Sequence, residues 1–378
     1  MTRTHRRGLA ALAMAATLAL AGCGPLVPVA HGPNGEPANG MGYPASVSDD
    51  GRFVAYTSDA SNLVPGDTNG ATDVFVLDRR TDRTRRVHVS STGAQANARS
   101  LTLQRISGDG RAVTFVSSAS NLVPGDTNES DDIFVHDLKT ATTERVSVGP
   151  DGQQAIWLGP RGSVMSDDAR WVAFTAYGLD PADPYRMGIY LHDRRSHRTE
   201  PVPGPALPVD AVLGTFSGDG KVLVYLVASP DGSGLVPVVR DLRTGRDDRI
   251  VAHLAFAYEY SIDVDDAGRT ISWGGRTPDG TYTVVLADRR TRSVEVLTTT
   301  AGGHGVVAVS SSGRYVTTFT DGGPAAGNSA AISVLDRRRG TSRPVGIGYW
   351  TDISDDGRTV VLETHDQRGP FLWQAPRR

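Results

Sequence analysis

Two short segments carry oxygen side chains at a spacing suited to a hard cation: Asp67, Asn69 and Asp73, then Asp126, Asn128 and Asp132. Alternating carboxylate and amide oxygens at positions one, three and seven echo part of an EF-hand loop, which reads as one Ca²⁺ per loop. The same residues suit Asx turns that cap a tight loop and bond the amides opening a strand. Position five is Ala71 or Ser130 and no twelfth-position Glu follows, so the turn reading is favoured over the cation. A second set is aromatic: Tyr43 beside Met41, Trp157, Tyr258 and Tyr260 around Glu259, His304, and Tyr349 with Trp350. Gathered on one face, these would suit a peptide, glycan or protein partner, although Trp and Tyr also serve as packing between structural units.

Motifs that carry catalysis by themselves are missing. There is no Gly-x-Ser-x-Gly elbow, no His-Glu-x-x-His pair and no phosphate loop followed by Lys, and Cys23 is the sole cysteine. His136 and His192 precede Asp137 and Asp193 at equivalent points of a repeat, which reads as packing. Carboxylate pairs such as Asp49/Asp50 and Asp355/Asp356 belong to repeated turns, so neither pair is singled out as acid and base. The Arg-rich turns at Asp78-Arg-Arg80, Asp193-Arg-Arg195, Asp288-Arg-Arg290 and Asp336-Arg-Arg-Arg339 read as solvated ion pairs. An enzyme whose site is assembled from distant residues stays open as the alternative, acting on glycans or peptides.

The elements that must position these residues follow from a repeat. An apolar residue, Ser, two small or acidic residues, Gly and a basic residue recur at Val47–Arg52, Ile106–Arg111, Met165–Arg170, Phe216–Lys221, Val264–Arg269, Val309–Arg314 and Ile353–Arg358. The basic residues lie 59, 59, 51, 48, 45 and 44 positions apart. Each copy is a tight turn between an inner strand and an alternating one such as Phe53–Tyr56. A third strand ends on Asp in the first six units, and an Arg- and Thr-rich turn leads to a fourth strand such as Arg86–Val89 or Arg145–Val148. Asp far outnumbers Glu, 35 to 7, which also favours turns over helices. Together these predict an all-β, seven-bladed β-propeller of four-stranded antiparallel blades. The seventh unit lacks a fourth strand, while Leu26–Ala30 is a spare one, so the N-terminus is expected to complete the last blade beside Trp373 and close the ring. Pro28 is tolerated because the outermost strand has a free edge. In this architecture the aromatic set and the Asp-Asn loops share one face, and the Arg-rich turns lie on the other.

The start of the chain predicts an address. A basic stretch, an apolar run from Leu9 to Ala21 and a small-residue site form a signal peptide over residues 1–22, too short to span a bilayer. Leu20-Ala21-Gly22-Cys23 resembles a bacterial lipobox, which implies cleavage before Cys23 and a diacylglycerol on its sulfur. Residues 23–25 would then be a lipidated anchor and 26–378 the propeller. Acyl chains at about 0.8 kcal/mol per buried CH₂ suffice to hold the domain at a bilayer. Without residues 1–22 the chain has 36 basic and 42 acidic side chains, formally −6, which argues against nucleic acid as a partner.

The Ile-Ser-x-Asp-Gly-Arg turns, the third strand ending on Asp, and the near-identical Ser61–Asn69 and Ser120–Asn128 resemble the TolB-type, WD40-like propeller repeats of bacterial envelope proteins. The resemblance spans nearly all of the mature chain, most strongly in the first three units. It implies the propeller fold and an extracytoplasmic, lipid-anchored location at the cell membrane, with an envelope protein or glycan as partner, and it implies no reaction. TolB proteins carry an extra α/β domain before the propeller for which this sequence has no room, so a Tol–Pal role is not carried over.

Overall fold

A computed structural model describes residues 26–101, 104–202, 213–228, 235–250, 258–277, 281–300, 308–321, 330–348, 350–364 and 369–375. These form seven small antiparallel sheets arranged as a seven-bladed propeller, with no helix among the described residues. Blade 1 is representative: Gly42–Val47, Phe53–Ser58, Asp73–Asp78 and Arg83–Arg86 pair in sequence order. Blade 6 keeps three full strands and meets its innermost position through the bridge Val309↔Val316.

The ring closes as the sequence predicts. Leu26–Pro28 pairs antiparallel with Phe371–Gln374 in the register Leu26↔Trp373, Val27↔Leu372 and Pro28↔Phe371, which gives blade 7 its outer strand. The tail of that strand is stapled to the next blade: Asn39 donates to Ser61 Oγ at 3.0 Å and accepts from the Ser61 amide at 2.9 Å. One blade on, Asn97 bonds Ser120 in the same way. The two near-identical segments are thus alike because each receives the same Asn from the preceding blade.

Second and third strands are buried on both faces, as in Ala112–Ser117 and in Asp132, Ile133, Phe134 and Val135 of the strand that follows it. A blade is sandwiched between two others, so its apolar residues do not alternate with polar ones. The core therefore lies in the seams between blades. Val74, Val76 and Val87 of blade 1 meet Val113, Phe115 and Phe134 of blade 2. The next seam repeats this, with Ile133 and Val135 of blade 2 against Phe174 and Tyr190 of blade 3.

One strand boundary differs from expectation. The outer strand of blade 1 is Arg83–Arg86 and that of blade 2 is Thr142–Arg145, three residues earlier than the Val-rich segments read as strands. The Arg/Thr run suits a strand with a solvent-facing edge. Val87 and His88, by contrast, are fully buried and turn into the seam, with the Val87 amide bonding Val74 O at 2.9 Å.

Candidate functional site

The repeated turn is built by its own side chains. Ser48 Oγ donates to Asp50 Oδ1 at 2.7 Å, that same Asp50 oxygen accepts the Arg52 amide at 2.9 Å, and Ser48 Oγ accepts the Phe53 amide at 3.0 Å. This leaves the residue between Ser and Asp free to point toward the propeller axis. Around the ring that residue is Asp49, Gly108, Asp167, Gly218, Asp266, Ser311 and Asp355.

Carboxylate oxygens of Asp49, Asp167 and Asp266, from blades 1, 3 and 5, come within 4.8 Å of one another. The intervening glycines are required: a Cβ on Gly108 would strike the carboxyl groups of Asp49 and Asp167, and one on Gly218 would strike those of Asp167 and Asp266. Ser311 Oγ donates to Asp49 at 2.6 Å, and Asp355 Oδ1 accepts the Ser312 amide at 2.6 Å. Burial first, then the Asp49 and Asp266 carboxylates, push Asp167 far above the usual range. Burial and then Asp49 raise Asp266, and burial raises Asp49 against the hydroxyl of Ser311. Three carboxyls so placed can share a proton or surround a divalent cation. Behind them, Asp263 and Asp352 accept the inner-strand amides of Val309 (2.7 Å) and Val47 (2.9 Å) on neighbouring blades. Burial pushes Asp263 up to about 7.

The acidic mouth and the aromatic set lie on opposite faces, because first-to-second-strand turns and second-to-third-strand loops emerge at opposite ends of a meander. On the aromatic face Trp157 opens the inner strand of blade 3 and is 58% exposed, with Ile156 at 42% and Tyr185 at 78%. They form one tip: the Ile156 side chain lies against Gly178, whose amide bonds Pro184 O at 2.9 Å, next to Tyr185. Met41 is exposed at the start of blade 1, but Tyr43 and Trp350 are half-buried. Burial, with Asp59 and Glu363 nearby, raises the Tyr43 phenol. Tyr258, Glu259 and Tyr260 open the inner strand of blade 5. His304, Tyr349 and Cys23 lie outside the described residues.

The Asp-Asn loops hold a cation that the chain itself supplies. Arg86 Nη1 lies 3.0 Å from Asp67 and 3.2 Å from Asp73, while Asn69 Nδ2 donates to Asp73 at 3.1 Å. In blade 2, Arg145 reaches Asp126 at 3.1 Å and Asp132 at 3.4 Å, and Asn128 donates to Asp132 at 3.0 Å. Two guanidinium groups thus stand among the oxygens that Ca²⁺ would need.

Sequence reasoning missed what Asp73 does next. His88 Nδ1 is 2.6 Å from Asp73 Oδ1 and its Nε2 is 2.7 Å from Ser117 Oγ of blade 2. This Asp–His–Ser chain has the connectivity of a hydrolytic triad. All three side chains are fully buried, so no substrate reaches the serine, and the chain works as a seam fastener. No spacing signal exposes it, since Ser117 belongs to a different repeat.

The Arg-rich turns are also more than solvated pairs. Arg52, Arg170 and Arg314 grip Asp78, Asp193 and Asp336 through two nitrogens each at 2.7–3.0 Å, and stack on Phe53, Trp171 and Tyr315. These pairings hold the three carboxyls down at about 2. Arg194, Arg289 and Arg337 instead reach back to the turn carbonyls of Ala169, Gly268 and Gly313 at 2.6–2.7 Å.

No protein-family model matches the chain, and no curated protein sequence matches it. Solved structures share its fold. TolB from Acinetobacter baumannii aligns with TM-score 0.50 and 16% identity over 87% of this chain, which spans 65% of that TolB chain. An oligogalacturonate lyase solved in complex with manganese aligns with TM-score 0.61 and 12% identity, covering 93% of this chain and 96% of the lyase. The β-propeller domain of the Trilobed protease from Pyrococcus furiosus aligns with TM-score 0.58 and 15% identity, covering 90% and 97%. That domain is described as having an open velcro topology, whereas here the N-terminal strand closes the last blade. At these identities the likeness is one of fold: the chain is a β-propeller, a fold it shares with TolB and with these other proteins.

Proposed function

We propose that the protein is a binding or scaffolding propeller, held by lipid on Cys23 at the extracytoplasmic face of the bacterial cell membrane. Its partner is an envelope protein or glycan that docks on the blade 3 tip. The observation that carries this reading is the exposed cluster of Trp157, Ile156 and Tyr185, since a half-exposed Trp flanked by apolar groups contributes nothing to the core and suits a partner's surface. Localisation rests on the signal and lipobox resemblance, and the shared fold with TolB is consistent with it. Crosslinking capture from intact cells, comparing wild type with a folded Trp157→Ala/Tyr185→Ala variant, tests the reading. A partner held by the wild type and lost by the variant is expected; capture unchanged by the substitutions would sink it.

One observation favours the alternative of an enzyme acting on glycans or peptides: three carboxyls converge at one depth of the channel. The shared fold with an oligogalacturonate lyase adds no chemistry by itself. Turnover of an acidic glycan that disappears in Asp167→Asn, while Trp157→Ala leaves it intact, would move the function to that mouth.

A further inference from the structure

The seams between blades repeat the same framework with different side chains, and one of them differs in kind. At the seam of blades 1 and 2, His136 is buried with its Nδ1 2.9 Å from Thr143 Oγ1, and the residue facing it from blade 1 is Arg85, whose Nη1 donates to Leu138 O at 3.0 Å. Burial lowers the His136 imidazole and Arg85 lowers it further. At the seam of blades 2 and 3, His192 repeats the arrangement, with Nδ1 2.9 Å from Thr199 Oγ1. Here the strand position of Arg85 is taken by Glu144, since Arg85 pairs with Val76 and Glu144 with Val135 at the same register. The turn position of Ala141 is taken by His197, and both adopt positive φ, 55° and 52°.

Three donor groups therefore meet where the neighbouring seam has a cation, an imidazole and a methyl. One ligand atom from each of Glu144, His192 and His197 lies within 4.8 Å of the other two. His192 is 3% exposed, and its Nε2 is buried with no hydrogen-bond partner. A buried polar atom left this way normally costs stability unless something binds it. The Nδ1 contact with Thr199 fixes the ring, and in the tautomer with the proton on Nδ1 the Nε2 lone pair is available; this is the outer contact that metal-binding imidazoles commonly make. Arg194 is the competing cation. Its Nε bonds Glu144 Oε1 and its Nη1 is committed to Ala169 O, so Oε2 is left facing His197 Nδ1 at 3.5 Å. At the next seam the framework fails again, because the place of His192 is taken by Arg240, paired with Asp247 at 2.9 Å.

We propose that Glu144, His192 and His197 form a site for one divalent first-row transition metal ion of zinc type at the seam of blades 2 and 3. Two imidazoles and one carboxylate are a ligand set that zinc takes, with a fourth position open to solvent on the side of the exposed His197. The site joins two blades, so binding also stabilises the ring.

The test uses the untagged protein, stripped with EDTA and titrated with Zn²⁺ by calorimetry, with Co²⁺ absorption as a second readout of geometry. One equivalent is expected to bind and to raise the melting temperature. His197→Asn keeps a residue that accepts positive φ, and Glu144→Gln keeps the shape; each is expected to weaken binding at least about tenfold. His31→Asn, at another seam where His31 lies 3.3 Å from Asp82, should leave binding unchanged. The proposal is overturned by the absence of stoichiometric binding, by equal affinity in His197→Asn, or by binding that is lost only in Asp167→Asn, which would place the ion at the channel mouth.

Discussion

The chain uses aspartate in two opposite ways. In the seams and outer turns five Asp are matched by a cation or imidazole: Asp73 by Arg86 and His88, Asp132 by Arg145, and Asp78, Asp193 and Asp336 by arginines from the repeated turn. At the channel mouth Asp49, Asp167 and Asp266 face one another, and their pKa values are displaced upward where those of the outer-turn Asp residues fall. The inner set comes from the repeated turn, and the outer set from the two ends of the third strand. The difference teaches that Asp78, Asp193 and Asp336 stabilise the fold, whereas the inner set works against it at neutral pH, the pattern expected of groups kept for binding or proton handling.

The comparison can be broken most forcefully at the seams. Arg145→Met strips Asp126 and Asp132 of their buried partner and should cost about 3–5 kcal/mol in urea unfolding. Added Ca²⁺ is expected to leave the wild-type melting temperature unchanged, since Arg86 and Arg145 hold the oxygens it would need; a clear rise would revive the cation reading of the Asp-Asn loops. His88→Ala follows, with a loss of about 2–3 kcal/mol from the orphaned Ser117 and Asp73 and the space left behind. Blade 2 has Ser147 in the place of His88. Its hydroxyl bonds Asp132, and Ala176 takes the place of Ser117 across the seam; Thr175 Oγ1, on the other face of that strand, is buried with no partner, so Thr175→Val should be close to neutral.

The inner set predicts the opposite sign. A carboxyl whose folded pKa is raised contributes stability below its unfolded value near 4, and that contribution is lost as the pH climbs through the folded value. Asp167→Asn should therefore stabilise the protein at pH 8, on the order of 1 kcal/mol, with the gain closing by pH 4. Equal stability of variant and wild type across that range would show that the three carboxyls do not oppose one another. The smallest effect belongs to an outer pair. Asp193, held at about 2, contributes stability above pH 4 that is lost as the pH falls toward 2. Arg170→Met should cost only about 0.5 kcal/mol at pH 7 and flatten the acid limb of the stability profile.

Much of this was legible beforehand. The turn repeat, its Gly and Asp chemistry and the missing seventh outer strand are local features, and they led to seven blades and to the closing strand at Leu26. The loop-face position of Trp157 was equally legible, but its exposure was not, because Trp350 begins its inner strand in the same way and is half-buried. The outer strands were misplaced by a few residues because Val87-His88-Val89 has strand-like composition, and only the adjoining blade shows that this segment belongs to the seam.

By itself the sequence determined the repeat, the fold class and the ring closure, since each depends on side chains acting within a few residues or on copies compared with one another. Tertiary structure alone decided which charges meet. Asp49, Asp167 and Asp266 stand roughly a hundred residues apart in steps of two blades, and Asp73, His88 and Ser117 straddle two repeats. Asp at the end of a third strand becomes a clasp and Asp in the first-to-second-strand turn becomes part of a convergent acidic mouth, because the one meets an arginine and the other faces carboxyls of other blades, a distance that no spacing along the chain encodes.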